Sequence, residues 1–141
     1  MDSQKVKEAL ARFRGTCNCC QAVVTPWAGE LGEEEKTLFS LGAGFGGGMG
    51  RLQEACGAFT GGVMVLGAFN AEKKDFCYEQ IRSLGEAVIR EFGSLRCRDL
   101  LGVDLNDPIS CAETLEKRDY KEICPKVIAF VTAYIEQNRG K

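Results

Sequence analysis

The run G-A-G-F-G-G-G-M-G, Gly42 to Gly50, places six glycines in nine positions. No regular element tolerates that density, because each glycine inside a helix or strand costs about 0.5–1 kcal/mol relative to alanine. The run therefore ends the element before it and separates it from the next. It reads as a tight loop whose bare backbone, at Gly47 and Gly48 among others, packs closely on a neighbour or a cofactor. Gly42, Gly44 and Gly47 also satisfy G-x-G-x-x-G. The dinucleotide fingerprint needs a strand before it, a helix after it and an acid about 20 residues on. Here a helical pattern precedes the glycines and no second strand follows, so that reading fails.

On both sides of the run the periodicity is helical. Val6, Leu10 and Phe13 recur at helical spacing on a charged background and predict a first amphipathic helix ending near Gly15. Thr16 is positioned to cap a second helix, Cys17 to about Trp27, closed by Pro26 and Gly29. Glu33 to Leu41 is a third, acidic in its first turn. Leu52 to Phe69 is largely apolar, and its Ala55–Phe69 portion is expected at the centre of the molecule. Lys74 to Phe92 is amphipathic. After Gly93 and a capping Ser94 comes a short helix, Leu95 to Leu101, closed by Gly102. Asp107 and Pro108 open another, to about Glu116, and Pro125 opens the last, with Val127, Ile128, Val131, Tyr134 and Ile135 as its core stripe. No segment alternates with period two. The expected fold is all-α: one compact helical bundle over residues 1–141, with the glycine-rich loop before a buried central helix.

A net charge of −2 gives no electrostatic basis for binding nucleic acid or an anionic membrane. The longest weakly polar run, Ala55 to Phe69, is too short and too rich in glycine to span a bilayer. The first ten residues lack the pattern of a secretory signal, so the expected compartment is the cytosol. Thiols stay reduced there, and eight cysteines then read as metal or redox chemistry rather than as a disulfide framework. The chain has no histidine, which removes imidazole acid–base catalysis and zinc sites with nitrogen ligands from histidine.

The positions of the cysteines are informative. Cys19, Cys56, Cys97 and Cys124 each fall near an expected helix start, where the dipole and free N–H groups favour a thiolate. Cys111 does so too, and Cys20 is a further candidate. Cys17 and Cys20 form a C-x-x-C, which on a helix lies on one face and could ligate or cross-link. Cys77 reads as mid-helix packing. Gly57 and Gly61, one helical turn apart, would allow close approach of a neighbouring helix.

Five segments together resemble the C_GCAxxG_C_C family: N-C-C-Q-A-V (Asn18 to Val23), G-F-G-G-G-M-G-R (Gly44 to Arg51), C-G-A-F-T-G (Cys56 to Gly61), C-R-D-L-L-G (Cys97 to Gly102) and Cys124-Pro125. The resemblance runs from about Gly15 to Val131. It implies a redox role inferred from the cysteines, and it chooses Cys19, Cys56, Cys97 and Cys124 from the six candidates. The chain departs from the family pattern by carrying Cys20, Cys17, Cys77 and Cys111 in addition.

The leading expectation is an iron–sulfur or related metal centre held by Cys19, Cys56, Cys97 and Cys124. Gly57, Gly61, Gly47 and Gly48 would let backbone N–H groups approach it. One alternative is thiol–disulfide chemistry with Cys56 as attacking thiol, beside Arg51, and Cys19 as its companion. Another is a structural four-cysteine zinc site. The redox partner is not specified by the sequence, and a homo-oligomer is compatible with it.

Overall fold

The computed structural model describes residues 3–102, 104, 106–107, 109 and 119–139. Its elements are α1 (Gln4–Arg14), α2 (Cys19–Val24), a 3-10 turn (Thr25–Trp27), α3 (Ala28–Leu31), α4 (Glu35–Gly42), a second 3-10 turn (Ala43–Phe45), α5 (Gly57–Phe69), α6 (Lys74–Phe92), α7 (Cys97–Leu101) and, last, α8 (Asp119–Asn138). The fold is all-α, and among the described residues no helix is long and apolar enough to cross a membrane.

Helix α5 is the central element. It packs against α2, α6 and α8, while α1 lies across α2 and α8. Its apolar residues are not confined to one stripe, as expected for a helix covered on several sides. Two adjacent glycines make this possible. A methyl group on Gly61 would sit 2.9 Å from the Cys20 carbonyl oxygen and 2.9 Å from Val23 Cβ, both in α2. One on Gly62 would meet Leu84 of α6 at 2.7 Å and Val131 of α8 at 2.8 Å. Val23, Val24, Trp27, Val65, Leu66, Leu84, Val88, Val127, Ile128, Val131 and Ile135 complete the core.

Several expected boundaries move, each for a local reason. Asn18, not Thr16, caps α2, which starts at Cys19: the Asn18 side chain accepts from Gln21 N–H while Gln21 Oε1 accepts from Asn18 N–H, both at 2.8 Å. This reciprocal pair satisfies two otherwise orphaned donors. The third expected helix begins at Glu35 and is preceded by the short α3. Helix α5 begins at Gly57 rather than Leu52, because residues 53–56 are engaged elsewhere. Cys56 N–H donates to Leu95 O (2.7 Å), Cys97 N–H to Glu54 O (2.7 Å) and Arg98 N–H to Gln53 O (3.2 Å), with Ala55 and Arg96 forming an isolated antiparallel bridge. Ser94 accepts from Arg96 N–H in the turn before α7, which starts two residues later than expected. Pro125 does not open the last helix but lies inside it, with no N–H to give to the carbonyl four residues back. Of the helix expected from Pro108 to Glu116, only Ile109 is among the described residues, and Cys111 lies outside them.

The glycine run winds into a left-handed turn. Gly47, Gly48, Met49, Gly50 and Arg51 have φ of 64°, 70°, 67°, 59° and 66°, and Gln53 follows at 58°. Gln53 N–H and Glu54 N–H close it by donating to Gly47 O and Gly48 O, each at 3.0 Å. Glycine adopts this hand freely, whereas each L-residue in it costs about 1–2 kcal/mol.

Candidate metal and redox site

Cys19 is the first residue of α2, held in place by the Asn18 cap. Asn18 also ties that cap to the glycine run, donating from Nδ2 to Gly42 O and Ala43 O at 3.2 Å each. Cys56 caps α5 without a hydrogen bond from its side chain to the first turn, although the Phe59 and Ala58 N–H groups there favour its charged form. Cys97 is the first residue of α7 and lies beside Cys56 through the antiparallel bridge. Cys124 comes from the second turn of α8.

These four thiols share one environment. Cys19 is hydrogen-bonded to Cys124 and feels the charge of Cys56, Cys97 and Cys124; Cys97 feels Cys56 and Cys124. Segments up to 105 positions apart in sequence thus bring their sulfurs into electrostatic reach of one another. Among the described residues, however, no group of three or more His, Cys, Asp or Glu side chains closes into a shell able to hold a metal ion. The strongest mutual influence is between Cys19 and Cys124, and Cys56 and Cys97 act on Cys19 by charge.

Burial, rather than the helix dipole, dominates the protonation of most of these groups. The hydrogen bond to Cys124 holds Cys19 well above the ordinary thiol range, reinforced by burial and by the neighbouring thiols. Burial raises Cys56 despite the influence of the Phe59 and Ala58 N–H groups, and burial followed by the charge of Cys56 pushes Cys97 up to about 11. Cys124 alone among the four is lowered, because the Cys19 S–H donates to it. The expectation of a thiolate favoured at each helix start is therefore reversed. The favoured thiolate is the one inside a helix, and the buried Cys56 is not the low-pKa thiol.

The glycines act between protein segments. A methyl group on Gly57 would lie 3.0 Å from Cys19 Cβ, and one on Gly48 2.7 Å from Cys97 Cβ and 2.7 Å from Gln53 Cα. Gly61 meets α2, as described, and Gly47 faces Arg51 at 2.7 Å from its Cγ. Gly48, Gly57 and Gly61 let cysteine-bearing segments approach one another, whereas Gly47 makes room for Arg51 within its own turn.

The additional cysteines separate into distinct surroundings. Cys20 is fully buried, its sulfur 3.5 Å from Met64 Sδ, and burial pushes it up to about 11. It senses Cys56, which makes it a fifth thiol at the edge of the group. Cys17 faces the other way, beside Arg12, and lines an open cleft of about 640 Å³ with Lys36 and Phe39. The C-x-x-C residues therefore look into different neighbourhoods. Cys77 is the fourth residue of α6, not mid-helix as expected, and its N–H is engaged by Lys73 O at 2.8 Å. What separates it from the site is distance: about 22 Å of helix rise lies between it and Phe92, the end of α6 that leads to Cys97.

Residues 17–138 match the sequence model of a family described as "Putative redox-active protein (C_GCAxxG_C_C)". The chain belongs to the C_GCAxxG_C_C family. No curated protein and no solved structure matches it. The matched span holds the four convergent cysteines, so this member of the C_GCAxxG_C_C family is cysteine-rich and redox-type by family. Two residues that shape the site are not among those singled out from the sequence. Gln21 announces itself by lying three positions after Asn18, the spacing of a capping box. Gln53 carries no local signal, since its role depends on pairing with residues 95–98.

Proposed function

We propose that Cys19, Cys56, Cys97 and Cys124 are the thiolate ligands of an iron–sulfur centre and that the protein carries electrons. The observation that supports this is the shared environment of the four sulfurs, with Cys19 in interaction with each of the other three. The donor set fits the group: four cysteine sulfurs are the usual ligands of such clusters, and donors to those sulfurs help to set the potential. Here the N–H groups of Ala58 and Phe59, in the first turn of α5, favour a charged Cys56 sulfur. The residues' own part is to hold four sulfurs in a largely buried site. When bound, the cluster supplies one-electron chemistry.

A lone zinc ion would need its four sulfurs about 2.3 Å from one point. Among the described residues no group of three or more such side chains is placed to hold a single ion. Protein prepared without oxygen should be brown and contain iron and acid-labile sulfide. Stoichiometric zinc, or colourless metal-free protein, would overturn the proposal.

The hydrogen-bonded Cys19–Cys124 pair favours a second reading, thiol–disulfide exchange. In it Cys124, rather than Cys56, is the attacking thiolate and Cys19 resolves the mixed disulfide. Colourless protein that loses these two thiols together on exposure to a small disulfide would select this reading.

A further inference from the structure

Gln53 combines three properties that rarely coincide. Its side chain is fully buried although it is polar. Its backbone is left-handed, at φ 58°, where a residue other than glycine is strained. And it lies against Cys97, whose N–H donates to the adjoining Glu54 O at 2.7 Å and whose thiol its carboxamide draws down against the effect of burial. Glycine at this position would remove the backbone strain but also the amide. The backbone around it is held from both sides: Gln53 N–H donates to Gly47 O at 3.0 Å and its carbonyl accepts Arg98 N–H at 3.2 Å. Gly48 fits against both Gln53 Cα and Cys97 Cβ. The left-handed turn and the antiparallel bridge thus hold Gln53 and Cys97 side by side.

A neutral carboxamide donates through Nε2, and a sulfur carrying negative charge is the acceptor that gains most from it. Strain at a buried residue persists only where the surrounding structure over-determines it, and such residues cluster at functional sites. We infer that Gln53 is a positioning residue for Cys97, whose N–H···S bond orients that sulfur and raises the reduction potential of the centre it helps to hold. The potential part rests on the iron–sulfur reading above; the positioning part does not.

The test uses the full chain in two forms. In the metal-free protein, NMR should show the Gln53 carboxamide protons close to the Cys97 β protons and slow to exchange, with exchange accelerated in Cys97→Ala. In the anaerobically loaded protein, Gln53→Leu keeps the bulk but has no donor, and Gln53→Glu keeps the shape but brings a carboxylate. Both should retain iron and sulfide. Leu should shift the reduction equilibrium about tenfold toward the oxidised form, ~59 mV for a one-electron couple, and Glu further in the same direction.

Gln53→Gly, which relieves the strained φ, should shift the potential in the same direction as Leu. An unchanged potential in all three variants at parental iron content overturns the tuning role. Carboxamide protons remote from Cys97 overturn the positioning role whether or not iron binds. A parent without iron overturns the centre and its tuning, and leaves positioning to be decided by the NMR result.

Discussion

Gly61→Ala probes how the site is assembled, although residue 61 touches no ligand sulfur. The added methyl group would lie 2.9 Å from the Cys20 carbonyl oxygen and 2.9 Å from Val23 Cβ, against 3.4 Å or more for ordinary contact. One of the two obstacles is backbone, so a rotamer change cannot relieve it and α2 must retreat. Overpacking of this kind costs about 1–3 kcal/mol, and a contact with backbone belongs in the upper half of that range. Alanine returns about 1 kcal/mol of helix propensity. The expected net loss is about 1–2 kcal/mol, read as a fall of about 0.5–1 M in the urea midpoint of the metal-free protein.

Gly67 in the same helix supplies the control. Nothing lies within 4 Å of its would-be methyl group, so Gly67→Ala should gain up to about 1 kcal/mol from propensity alone. Opposite signs for two identical substitutions in one helix would isolate close packing as the cause. If both variants were stabilised, the claim that Gly61 exists to admit α2 would be refuted.

The remaining predictions concern the thiols and the cap. Cys20, raised from 9.0 to about 11 by burial, binds its proton more tightly folded than unfolded, so its contribution to stability is complete below pH 9 and declines toward pH 11. The two-unit shift corresponds to about 3 kcal/mol; Cys20→Ala should flatten that part of the pH–stability curve, measured as the difference from the parent, and an unchanged slope counts against burial as the cause. Cys56→Ala should abolish iron binding, whereas Cys77→Ala should leave it intact and lose only about 1 kcal/mol from the trimmed sulfur, as iron analysis and urea unfolding would show. Mild oxidation of metal-free protein should first link Cys19 to Cys124; peptide mapping that finds Cys17–Cys20 first would contradict the separation of that pair. Asn18→Ala removes a cap and two loop hydrogen bonds, and should lower stability by about 2 kcal/mol.

Where local pattern governs, the sequence was readable. The Lys74–Phe92 span follows from its periodicity, and the glycine density marks the loop after α4 without reference to anything distant. Helix boundaries that depend on competition were harder: Thr16 and Asn18 are both competent caps, and Gln21 decides between them by bonding back. Residues 53–56 look helical in isolation, but pairing with residues 95–98 overrides propensity there. Pro125 resembles a helix start because proline is favoured at one, yet α8 begins six residues earlier and carries it inside. The protonation pattern was least legible. A helix start is a local feature visible in sequence, whereas the burial that raises Cys56 and the shared proton that lowers Cys124 exist only once distant segments meet. Selection of the four cysteines came from family resemblance, and spacing alone does not make it.

The order of the sulfurs along the chain has a consequence for biogenesis. Three of them lie within the first 97 residues, each beside a turn or cap that the same stretch supplies. The fourth, Cys124, arrives with α8, the helix that also covers α1 and α5. A nascent chain lacking α8 therefore offers three thiols and an uncovered core, and domains emerging from the ribosome fold from the N-terminal side. On the iron–sulfur reading proposed above, completion of the ligand set would coincide with closure of the hydrophobic core, so that loading would report a finished fold.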